Sequence, residues 1–168
     1  MNNWLIILRI FHIVFGVLLI GNVLFMTLFL QPRLRALGPA VMMPVMSAIL
    51  PVVTPAQIAS YAVILGSGTA MALILRWSDL GAFFAAGWGW AILVGFVAFV
   101  AAGIVGFGIV TPTGFRLIKL GGSIVGRPPT PEEGARMQAL GTRVVKWSRI
   151  NVALALVILG SMAAARFV

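Results

Sequence analysis

The sequence predicts an all-α fold. Four membrane-spanning helices form a bundle, with a proline-interrupted interfacial helix between spans 1 and 2 and a long fourth helix extending into the cytoplasm. Three observations predict it. The chain is 61% hydrophobic and 9% charged over 168 residues, where a soluble domain carries about 25% charged residues. Apolar stretches of about 20 residues, enough at 1.5 Å per residue to cross a ~30 Å hydrocarbon layer, recur along its length. Nine of the 12 lysines and arginines, set against Asp79, Glu132 and Glu133, gather in two connections instead of spreading evenly. No sizeable soluble domain remains outside the spans, so residues 1–168 read as a single membrane domain. There is no cysteine, which excludes disulfides and thiolate chemistry.

The first span, 4–30, organises the rest. It is too long for a signal-peptide core, and neither a basic leader nor a small-residue cleavage site flanks it. It carries Arg9 and the only histidine, His12. At 100° per residue Leu5, Arg9, His12, Gly16 and Val23 fall within about a quarter-turn. An ionisable group inside the bilayer costs at least ~2.5 kcal/mol, so this face is expected to look into the bundle.

A basic turn with Arg33 and Arg35 follows, and then charge vanishes from 36 to 75. Pro39, Pro44, Pro51 and Pro55 divide that length, since each removes a backbone donor. The reading is an interfacial or re-entrant helix over 40–53. A second span over 55–77 follows, with Thr54 as its N-cap and Pro55 in its first turn. The third span, 88–115, carries the small residues Ala91, Gly95, Ala98, Ala102 and Gly106 on one face, a pattern that permits close helix approach. Thr111-Pro112 marks its end. A basic cytoplasmic connection occupies 116–147. Within it Thr130-Pro131-Glu132-Glu133 has the form of a capping box. The helix it starts reaches about 50 Å to Arg166. Met137, Leu140, Val144 and Trp147 give its outer half an apolar face, and Gly141 is a place for a break. The fourth span is 148–167.

Topology follows from charge. Arg33, Arg35, Arg116, Lys119, Arg127, Arg136, Arg143, Lys146 and Arg149 fall on one side of the spans, Arg76 and Arg166 on the other. The positive-inside rule puts the basic connections in the cytoplasm and both termini outside, in a multi-pass protein of the cell's inner (cytoplasmic) membrane. Trp4, Trp77, Trp88 and Trp90 at the outer boundary and Trp147 at the inner one form an aromatic belt.

His12, Gly16 and Gly21, then Pro32-Arg33-Leu34-Arg35, then Gly87-Trp88-Gly89-Trp90 and an arginine-studded entry to the fourth span make a pattern. It resembles the small integral membrane proteins related to the copper-resistance protein D (CopD) domain, over nearly the whole chain. The resemblance implies a four-helix membrane bundle and carries over His12 as the first-helix histidine. The Trp-x-Gly-Gly that often follows that histidine is replaced by Leu19-Ile20-Gly21-Asn22, and no second histidine exists. HemJ-type protoporphyrinogen oxidases also have a first-helix histidine. Their later-span lysine has no counterpart here, because Lys119 and Lys146 lie at the cytoplasmic boundary.

His12 lies about 12 Å in from the outer end of its helix. Met71 and Met162 fall at similar depth, and a His/Met pair is a known axial set for haem. His12 alone suits a haem or another tetrapyrrole such as a chlorin, or a paired site across a dimer. It also suits a neutral histidine hydrogen-bonded to a backbone group or to a hydroxyl such as Ser67 or Thr69. Arg9 suits a propionate, a lipid phosphate, Asp79 or simple snorkelling to the surface. Gly16 leaves room for a flat ligand. Met42, Met43 and Met46 form a thioether cluster of the kind that suits Cu(I), or ordinary packing. Asn22 and Asn151 are placed to hydrogen-bond across helices.

No carboxylate pair within a span, no Ser/His/Asp set and no phosphate loop is present, so the sequence leans away from an enzyme. It reads first as an accessory or scaffold subunit of a larger membrane assembly or as a homo-oligomer. The alternative is a tetrapyrrole or copper protein built on His12. The expected partners are membrane lipids, anionic ones at the basic connection, and other membrane subunits; nucleic acid is not expected. Reporter fusions at Gly122 and Pro129 should read cytoplasmic and fusions after Val168 external; an external signal at Gly122 contradicts the charge argument.

Overall fold

The computed structural model describes residues 3–76, 81, 85, 87–124, 126–165 and 167. Trp77, Asp79 and Arg166, and with them the expected outer end of span 2 and an Arg9–Asp79 contact, lie outside these residues. The described chain is helical, and four helices are long and apolar enough to cross a membrane: α1 (Asn3–Ala36), α2 (Pro39–Arg76), α3 (Gly87–Ser123) and α4 (Pro131–Ala164). α1 packs mainly on α2, and α3 mainly on α4. The two hairpins meet where α2 touches the basic end of α3 and where α1 touches α4.

The helices run through points where the sequence predicts breaks. Residues 31–36 are helix, not turn, and only Leu37 and Gly38 separate α1 from α2. Gly38 makes that corner with φ of +85°, a conformation glycine adopts without steric cost. The expected division between 40–53 and a span opening at Pro55 does not occur. Pro44, Pro51 and Pro55 all lie inside one 38-residue helix, and Thr54 is in its interior, not at a cap. The third helix passes Thr111-Pro112 and continues to Ser123, so the basic connection 116–147 is largely helix, and only 124–130 link α3 to α4. Gly141 does not break α4; it is buried within it. The common cause is that backbone polar groups away from water have no partner except the helix itself, so a proline is accommodated locally instead of ending it.

Two of these accommodations are alike. A π-helical turn occupies Phe25–Leu30 just before Gln31-Pro32, and another occupies Gly106–Val110 just before Thr111-Pro112. In each, the N–H preceding the proline bonds five residues back: Gln31 to the Met26 carbonyl, Thr111 to the Gly106 carbonyl. The wider turn takes up the space that the proline ring denies to an ordinary α-turn. The same device thus sits in the first helix of each hairpin.

Packing between the hairpins is aromatic and glycine-dependent. The core cluster is Ala98, Phe99 and Ile158, with Leu19, Ile20 and Tyr61 against it. The Tyr61 and Phe99 rings stack 4.1 Å apart, and Phe107 meets Tyr61 edge-on at 5.4 Å. Such pairs are worth about 0.5–1.5 kcal/mol each beyond area burial. Tyr61 fits only because residue 103 is glycine: a Cβ there would stand 2.5 Å from its hydroxyl oxygen. The expected small-residue face of α3 is used in the same way, with Gly95 under Ser161 and Met162 of α4.

The start of α4 forms as predicted. The Thr130 hydroxyl accepts the Glu133 N–H at 3.2 Å, and the Glu133 carboxylate accepts the Thr130 N–H at 2.9 Å. Arg127 adds a bidentate contact to Glu133 at 2.6 and 2.8 Å. That guanidinium first, and then the Thr130 N–H, hold the Glu133 carboxyl down from its ordinary 4.5 to about 2. Because the folded value is depressed, the stabilisation is complete above pH 4.5 and is lost as pH falls from there toward 2. Amide-exchange protection of 132–136, corrected for intrinsic rates, should decline across that window. Thr130→Ala should remove a cap worth about 0.5–2 kcal/mol at neutral pH without preventing membrane insertion; unchanged protection in the variant contradicts the box.

Candidate functional site

His12 sits between α1 and α2, where two features of α2 receive it. Gly68 leaves bare backbone under the ring, so that a Cβ there would lie 3.0 Å from His12 Cε1. Ser67, buried, places its Oγ 3.0 Å from His12 Nδ1. The direction of that bond follows from the serine. Its hydroxyl proton goes to its own helix, to the Val63 carbonyl at 2.6 Å, with the Ile64 carbonyl at 3.3 Å. The oxygen is then left to accept, so His12 Nδ1 carries the proton and Nε2 carries the lone pair. Of the two hydroxyls expected to meet His12, Ser67 does so.

This is the arrangement that orients a ligating histidine: one ring nitrogen donates to a fixed acceptor and the other is free to bind. It is also a complete account of a neutral structural histidine. Gly16, one turn along α1, has open space where a side chain would stand. Arg9 is exposed and forms no ion pair among the described residues. Met71 lies one turn beyond Ser67 on α2. Met162 goes elsewhere: its Cε is seated over Gly95, between α3 and α4, so depth alone did not identify its neighbours. Among the described residues no group of three or more His, Asp or Glu side chains is arranged to hold a metal ion.

The methionines at the basic end do come together. Met42, Met43 and Met46 line one cavity of about 50 Å³ with Leu34, Arg35 and Leu50. Met43 covers Gly121, where a Cβ would be 2.9 Å from its sulfur. Packing against a bare backbone is the ordinary use of a flexible thioether. Beside it the Arg35 guanidinium donates to the Gly141 carbonyl at 2.7 Å, tying α1 to α4. Reading the sequence missed this clamp, because Arg35 counted there only as a topology charge. Asn22 and Asn151 do not pair: among the described residues neither side chain makes a hydrogen bond, and the Asn151 amide nitrogen lies against Gly106.

Compared with known proteins, the chain matches no family model, no curated protein and no solved structure. The site therefore stands on its own geometry. In ¹⁵N spectra of the His12 imidazole the Nδ1-protonated tautomer should dominate. Ser67→Ala, which removes a bond worth about 0.5–1.5 kcal/mol, should shift the tautomer ratio about two- to tenfold toward Nε2–H. An unchanged ratio shows that Ser67 does not orient the ring.

Proposed function

We propose that the protein is a non-enzymatic subunit of the cytoplasmic membrane, with both termini outside, acting as an accessory or scaffold within a larger membrane assembly or in a homo-oligomer. The observation that supports this most is the surface of α1. None of the residues of Asn3–Leu24 is buried, although the segment is predominantly apolar. Lipid tails are as apolar as these side chains, so hydrophobicity alone does not recruit a partner there. Bare backbone does, because it lets another helix come close. Gly21 on α1 is exposed with nothing within 4 Å, as are Gly66, Gly108 and Gly160 on the other three helices. The interior uses its glycines for contact, and these outer ones are left over.

A second reading is favoured by the Ser67 bond. A His12 oriented through Nδ1, with Nε2 unprotonated and open space at Gly16, suits a single-point ligand to a tetrapyrrole iron or magnesium, or to copper. The resemblance to CopD-type proteins points the same way. Such a group would supply redox or light-absorbing chemistry, and Arg9 would meet a propionate toward the end of α1.

Photo-crosslinkers at Val17 and Leu18, exposed on α1, separate the readings in native membranes. The accessory reading expects a covalent adduct of one defined protein mass, or of a second copy of this chain. Adducts with lipid alone contradict it. For the second reading the purified protein should carry a visible absorption band that His12→Ala abolishes; a retained band excludes His12 as the ligand.

A further inference from the structure

The interior of the bundle holds a feature used by neither reading. All four helices line a cavity of about 50 Å³ in which Gln57, Tyr61, Phe107 and Asn151 are the chemically distinctive walls. Gln57 and Tyr61 come from α2, Phe107 from the π turn of α3, and Asn151 from α4. Leu19, Ile20 and Val23 of α1 close the remaining side.

Two primary amides on different helices face this space. Among the described residues, neither the Gln57 nor the Asn151 amide makes a hydrogen bond, although both side chains are half-buried. In a hydrocarbon surrounding, an unmatched amide costs several kcal/mol. Together they present four N–H donors and two carbonyl oxygens with four lone pairs. The Tyr61 hydroxyl spends its proton on the Phe99 carbonyl, 3.3 Å away, and so offers only acceptor lone pairs. Donors and acceptors therefore both face the space, and the group that matches them is one that accepts and donates, a hydroxyl. No charged side chain lines the cavity, so an ion would enter without compensation, and the occupant is neutral. At 10–15 Å³ per water, the space admits about three or four waters or one small head group, not a whole lipid.

Its position supports a built site. Leu50, Gly114 and Val144 line the methionine cavity, and Gln57, Phe107 and Asn151 line this one. Each pair is seven residues apart on its helix, about two turns or 10 Å. The two voids therefore stack along the bundle axis, the lower one lined by methionines with Gln31 and Arg35 at its wall, the upper one carrying the Gln57 and Asn151 amides. The π turn places Gly106 and Phe107 at the upper void, and such turns inside α-helices are frequent at functional sites.

We propose that this cavity binds a neutral hydroxyl oxygen between the Gln57 and Asn151 amides, supplied either by the head of a membrane-soluble alcohol or by ordered water. The test uses the full chain, ¹⁵N-labelled, in lipid nanodiscs. The two side-chain NH₂ pairs are assigned by their loss in Gln57→Leu and Asn151→Leu, and the His12 imidazole signals report that each variant keeps its fold. A membrane-soluble alcohol, 1-hexanol, is then titrated. If a membrane solute is the source, both NH₂ pairs shift together and saturably, and either leucine variant weakens the probe at least tenfold. If water is the source, both pairs show cross-peaks to water that the probe does not displace. Cross-peaks to neither water nor probe, or shifts in only one pair, overturn the proposal.

Discussion

The bundle depends on side chains seated on bare glycine backbone. In lipid no hydrophobic force drives one helix onto another, so association must come from close contact and hydrogen bonds. The structure supplies such contacts at successive levels: His12 on Gly68 within the first hairpin, Ser161 and Met162 on Gly95 within the second, Tyr61 on Gly103 and Met43 on Gly121 between the two. Arg35 on the Gly141 carbonyl adds a hydrogen bond at the basic end. The ring cluster of Tyr61, Phe99 and Phe107 exists only because Gly103 lets Tyr61 approach. The cavity beside that cluster is bounded by the same approach.

Much of the fold was legible. The spans follow from hydropathy and length. The capping box at Thr130 was readable because local side-chain chemistry decides it, and the small-residue face of α3 because helical periodicity does. The proline-rich segment was not. A proline rule drawn from water-exposed helices overstates the break, since there a freed carbonyl has water to turn to. Here α2 runs unbroken through Pro44, Pro51 and Pro55, and the π turns before Pro32 and Pro112 absorb the strain in α1 and α3. The two turns share the proline that follows each of them, but nothing in their own residues marks them: Phe25–Leu30 reads FMTLFL and Gly106–Val110 reads GFGIV.

The candidate site was legible to the depth that elimination allows. A chain with one histidine and no cysteine has one strong nitrogen ligand, and its hydroxyl partner was narrowed to Ser67 or Thr69 before Ser67 was found. Depth along the span could not say which way Met162 points, because that depends on the rotation of α4 about its axis, and α4 turns it onto Gly95. Arg35 and Gln57 were overlooked for a related reason. Arg35 was counted only as a topology charge and Gln57 was passed over, and both gain meaning only from what the facing helices bring to them.

The central claim is that glycine-seated contacts, not apolar burial, hold the hairpins together. Gly103→Ala and Gly108→Ala test it as a pair, since both change the same helix by one methyl group and only Gly103 has a side chain over it. The measurement is the unfolding free energy of each variant in mixed micelles of graded denaturing detergent. The account predicts a loss of about 1–3 kcal/mol for Gly103→Ala, the cost of forcing a methyl against a packed ring, and no loss for Gly108→Ala, where alanine is the better helix former. Equal stability of the two variants would contradict it.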